Sequence, residues 1–169
     1  MHNAADPGMA QAHIESRRTW LLESVARPLR PPLSGSGELS PDRREHLLRE
    51  AEDLFWNELS WEELTDEEMV AGGHLTELVF PGFLALIDGL LAERSDHAGV
   101  PARRHADVVE EVLAFLGCRY TEFTTRLAQG VDSERVVWSR ALTARLIDLV
   151  LFRLYQLTPA EREELERVE

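Results

Sequence analysis

Lysine is absent from this 169-residue chain: its eighteen basic residues are all arginine, against thirty-one acids, for a net charge of −13. That imbalance excludes sequence-independent binding to a phosphate backbone as a default, so nucleic acid is not an expected direct partner. Cysteine is nearly absent as well. Cys118 alone forms neither an intrachain disulfide nor a CxxC metal or redox pair, which suits a reducing cytoplasm. Long apolar runs are missing: the longest uncharged apolar stretch, Val79 to Ile87, is interrupted by Pro81 and Gly82, whereas a membrane span needs about 20 residues. Residues 1–16 lack the basic and apolar regions of a secretory leader and carry no lipidation motif. The expectation is a soluble cytoplasmic protein with no membrane partner. An Ala-rich chain whose only bases are arginines is typical of a GC-rich bacterial genome.

What remains is 44% hydrophobic and 29% charged, the composition of one folded domain with a single core. Apolar residues recur with helical spacing throughout, and no alternating stretch is long enough to argue for a strand. The spacing predicts an all-α, up-down helical bundle of about five main helices. A first helix, Met9 to Ala26, ends where Pro28, Pro31 and Pro32 arrive, and residues 27–39 read as a Pro/Gly/Ser-rich linker. Residues 1–39 are therefore expected as a helical arm, and residues 40–169 as the bundle.

Ser40-Pro41 opens a second helix with an N-cap and a first-turn proline, and Leu47, Ala51, Phe55 and Leu59 share its apolar face. Capping boxes at Ser60/Glu63 and Thr65/Glu68, then Gly72-Gly73, predict a corner. A third helix, His74 to Arg94, is so continuously apolar that it is expected to be central, kinked near Pro81. Pro101 to Gln129 and Ser133 to Gln156 form two long helices, with Gly130 suited to the first one's C-cap. Thr158-Pro159-Ala160-Glu161 opens a short last helix.

Residues that carry chemistry are few. Helical di-metal sites use Glu-x-x-His pairs on matched helices, and no histidine here follows a glutamate at that spacing. His74/Glu77 and His46/Glu50 do not supply two matched sets, and His97 and His105 read as loop and first-turn residues. No nucleophile elbow or phosphate-binding glycine loop is present. The sequence accordingly points to no catalytic residue, no metal and no cofactor. Asp88 and Asp148 sit among apolar neighbours, where a carboxylate needs a partner. Arg119, Arg145 and Arg153 are the candidates for structural ion pairs.

Charge is uneven: residues 38–70 hold twelve acids against three arginines. Within that segment, Phe55, Trp56, Leu59, Trp61, Glu62 and Glu63 interleave aromatics with acids, the make-up of an acidic helix that docks in a partner's groove. The alternative is that the tryptophans pack beneath the first helix or the linker. The leading expectation is a non-enzymatic bundle that acts by binding another protein or by self-association.

The stretch Ile147-Asp148-Leu149-Val150-Leu151-Phe152-Arg153-Leu154-Tyr155-Gln156-Leu157-Thr158-Pro159-Ala160-Glu161 resembles the C-terminal helical signature of type IIG restriction enzymes and related phage-defence methyltransferases. The matching positions are Ile147, Asp148, Leu154, Tyr155, Leu157, Thr158 and Glu161. Gln156 stands where the signature has glycine, and Phe152 where it has its first tyrosine. The methyltransferase cofactor strand and catalytic motif are absent, so no activity carries over. The resemblance implies at most a helical accessory or regulatory module in a restriction or defence setting.

Overall fold

A computed structural model describes residues 7–34, 39–59, 77, 79–95, 99, 101–131 and 134–168. The chain is an all-α bundle. Six described helices are α1 (Pro7–Ser24), α2 (Pro41–Glu58), α3 (Pro81–Leu90), α4 (Ala106–Ala128), α5 (Glu134–Leu154) and α6 (Pro159–Val168). The expected corner, with its capping boxes at 60–63 and 65–68 and Gly72-Gly73, lies outside the described residues.

Local chemistry sets the helix ends. The Ser40 hydroxyl accepts from the Arg43 amide at 3.1 Å to start α2. At α6, the Thr158 amide donates to Glu161 Oε1 at 2.9 Å while the Glu161 amide donates to Thr158 Oγ1 at 3.2 Å, a complete capping box. Helices α4 and α5 end alike. Val131 N donates to Arg126 O and Gly130 N to Leu127 O; Leu157 N donates to Phe152 O and Gln156 N to Arg153 O. Each is a Schellman end with a left-handed residue, Gly130 (φ 86°) in one and Gln156 (φ 55°) in the other.

Pro81 restarts a helix rather than bending one. Phe80 is non-helical (φ −118°, ψ 53°) and has no side-chain cap. The first-turn amides it leaves open are met from α2, where the Glu58 carboxylate accepts from Gly82 N and Phe83 N, both at 2.7 Å. This contact folds α3 back along α2. The burial expected of the third helix belongs more fully to α5, whose residues 146–152 are all buried; α3 buries Phe83, Leu84, Ile87 and Leu90 along one side.

Helices α2 to α5 alternate in direction around one core. Arg44 reaches Asp107 and Glu111 while Phe55 meets Phe115, so α2 runs with α4. Arg140 of α5 bonds back to Tyr120 and Thr124 of α4, which makes that pair antiparallel. Between α3 and α4 the chain forms a short antiparallel ribbon, β1 (Glu93–Ser95) with β2 (Pro101–Arg103), where one helix had been expected to run to Arg94 and the next to start at Pro101. Three-residue strands carry no readable alternation.

Helix α1 is part of the core and does not stand off as an arm. Ala10, Ile14 and Leu21 are buried, and α1 lies against α4 and α5. It approaches closely because Gly117 has no side chain: a Cβ there would sit 3.1 Å from the Ala10 carbonyl oxygen and 3.2 Å from Ile14. The segment after α1 is pinned too. Leu29 is buried, Arg103 N donates to Leu33 O at 3.0 Å, and Asp107 N donates to the Ser34 hydroxyl at 2.9 Å.

Candidate functional site

The acidic aromatic surface expected at 55–63 divides along helix α2. Phe55 is fully buried, stacked on Phe80 at 5.7 Å between ring centroids and edge-on to Phe115 at 5.5 Å. It cannot touch a partner, because the α2 face that carries it is the face α3 and α4 cover. Leu59 is half-buried against the same core. Trp61, Glu62 and Glu63 lie outside the described residues.

Trp56, one position round the helix, keeps 45% of its surface exposed. Its ring is nevertheless braced: Phe55 meets it at 5.0 Å, Phe123 at 6.4 Å, both edge-on, and the Arg119 guanidinium lies 6.0 Å from its centroid. Arg119 is itself tied to Glu122 at 2.7 Å, and Glu122 also meets Arg126 at 3.2 Å. Exposed acids Glu52 and Asp53 precede the tryptophan on α2. The arrangement presents a rigid aromatic plate beside charged groups already paired with one another.

The ion-pair candidates are all engaged, and Asp148 takes a partner that spacing did not indicate. Asp148, 7% exposed, is held by Arg17 of α1: Nε and Nη2 reach its two oxygens at 2.9 and 2.7 Å. This fork joins residues 131 positions apart, and Trp20 lies 4.1 Å from the same guanidinium. Arg153 pairs with Asp88 at 3.0 Å on the surface, as the sequence allowed. Arg145 bonds Glu166 of α6, and Arg119 bonds Glu122. No signal in the sequence marks Arg17 as the partner of Asp148, because only the docking of α1 brings them together.

A second polar group sits beside that fork. Arg18 donates to Glu110 at 2.6 Å and to the Tyr155 hydroxyl at 2.8 Å. Burial opposes its charge, but the bonds to Glu110 and Tyr155 outweigh it and hold the guanidinium more firmly protonated than usual. His13 stacks on Tyr120 at 4.0 Å with a buried Nε2 that has no hydrogen-bond partner. Burial, then the charges of Arg17 and Arg140, push its pKa below the ordinary imidazole value. These groups cement α1 to the bundle.

Among the described residues, no group of three His, Cys, Asp or Glu side chains is placed to hold a metal ion. His46 and Glu50 are exposed on α2, Glu77 bonds Arg162, and His74 and His97 lie outside the described residues. No described helix is long and apolar enough to cross a membrane. No protein-family model, curated protein or solved structure matches the chain.

Proposed function

We propose that this protein is a non-catalytic helical bundle of the cytoplasm that works by docking another protein, or a second copy of itself, with Trp56 as the anchor. The observation that carries this reading is a large aromatic ring exposed yet immobilised by Phe55, Phe123 and Arg119. Aromatic side chains held in their bound orientation lose little entropy on docking and dominate interface energies. The exposed acids Glu52 and Asp53 on the same helix, and the net charge of −13, favour a basic or apolar partner over nucleic acid. The lone cysteine supports the compartment.

Native mass spectrometry of the chain purified gently from its own host tests the reading. A second polypeptide or second copy at fixed stoichiometry is expected, and Trp56→Ala should remove it while helicity is retained. A bare monomer, or a complex indifferent to that change, would overturn it.

A second reading, an accessory or regulatory subunit in a restriction or phage-defence system, is favoured by one detail. Gln156, which replaces the glycine of the resembling signature, has the left-handed backbone that glycine adopts most readily. This reading expects methyltransferase or nuclease genes beside its own; a locus with neither would sink it.

A further inference from the structure

At the end of α2 away from Trp56, a groove of about 380 Å³ opens between α2, α3 and the start of α4. Leu47 and Leu90 are buried at its base, Leu39 and Leu86 are half-buried along it, and the exposed Arg43 and Arg104 flank it. Three neighbouring arginines are engaged: Arg44 with Asp107 and Glu111, Arg153 with Asp88, Arg103 with the Arg153 carbonyl. Among the described residues, neither the Arg43 nor the Arg104 side chain forms an ion pair or hydrogen bond. In a chain where acids outnumber arginines by thirteen, two guanidiniums on one apolar groove that no described residue pairs complement an anion from outside the described residues.

The volume decides the size of the occupant. It falls at the lower end of the roughly 300–1,000 Å³ typical of small-ligand pockets, and a partner helix about 10 Å across needs a longer open channel. The chemistry decides its ends: leucines for an aliphatic tail, guanidinium forks for a carboxylate. We propose that this groove binds an aliphatic monocarboxylate of the fatty-acid class, its tail along Leu47, Leu86 and Leu90 and its head between Arg43 and Arg104.

Isothermal titration of the full chain with dodecanoate below its micelle concentration tests this, with dodecanol and butyrate as the headless and tailless controls. Two variants separate the parts. Arg43→Gln with Arg104→Gln removes the charges from exposed positions. Gly89→Leu fills the groove from its wall, where a Cβ meets nothing within 4 Å, so the fold has room for it. Thermal melting by circular dichroism verifies that both variants fold. One saturable dodecanoate site is expected, weakened at least about tenfold in each variant, with both controls weaker by a similar factor. Absent binding, binding indifferent to the variants, or dodecanol binding as well as dodecanoate would overturn the proposal. So would an acidic leucine-containing peptide that binds through the same residues while dodecanoate does not, since the groove would then take a partner segment.

Discussion

Against the α4–α5 pair, helix α2 brings Phe55, stacked on Phe80 and edge-on to Phe115, whereas α1 brings Arg17, Arg18 and His13 along with Ile14 and Leu21. The α2 flank is held mainly by non-directional aromatic burial, with the more exposed Arg44 pair to Asp107 and Glu111 at its edge, and the α1 flank by part-buried forks that accept a single orientation. Apolar packing tolerates small shifts and ignores pH; a bidentate pair requires that α1 dock in one register. The two flanks should therefore fail in different ways.

The largest expected loss is on the aromatic flank. Phe55→Ala empties a fully enclosed site and should cost about 3–5 kcal/mol, read as a fall in the urea midpoint with unchanged slope. On the ionic flank, Asp148→Ala removes the fork from Arg17 and should cost about 2–3 kcal/mol, below the roughly 3–5 of a fully buried pair because Arg17 keeps 22% of its side chain exposed. The comparison sharpens in the double variant Arg17→Met/Asp148→Leu, which should recover most of that loss. If it does not, orientation and not desolvation governs the flank.

Acidification should discriminate between the flanks next. Folded His13 binds its proton less readily than the unfolded chain does, so its contribution to stability is full above the unfolded value near 6.5 and is lost as pH falls towards the lower folded value. Hydrogen exchange between pH 7.5 and 5.5 should show α1 loosening before α2. His13→Phe, which keeps the stack on Tyr120 and removes the titrating ring, should abolish the difference.

The smallest expected effect lies outside both flanks and serves as their control. Gln156→Gly relieves a left-handed backbone at the end of α5 and should stabilise by about 0.5–1 kcal/mol, less whatever is lost with the Gln156–Glu93 bond. The reverse change at the matching end of α4, Gly130→Gln, should destabilise by a similar amount. Equal and opposite shifts in melting temperature would show that the two Schellman ends obey one local rule.

Much of the fold was legible. The α2 face of Leu47, Ala51 and Phe55, the Ser40 cap, the Thr158/Glu161 box and the Gly130 end all follow from residues within one or two turns of each other. Less was legible of the candidate site. Phe55 and Trp56 are neighbours in sequence and opposites in exposure: helical spacing turns Phe55 and Leu59 to the core and Trp56 elsewhere, but it does not say how much of Trp56 a neighbouring helix covers. The arm expected at residues 1–39 has the same origin. Ala10, Ile14 and Leu21 form a thin apolar stripe, too sparse to announce burial until Gly117 admits α1 and Asp148 receives Arg17.

By itself, then, the sequence determined that this chain is helical, where most of its helices begin and end, and that acids would outnumber bases on its surface. Those properties arise from hydrogen bonds and side-chain spacing within a turn or two. Only tertiary structure decided that α1 joins the core, that Glu58 starts α3, that Arg17 neutralises Asp148 and that Arg43 and Arg104 are left facing one groove. Each of those depends on groups far apart in the chain, whose meeting is set by how whole helices pack.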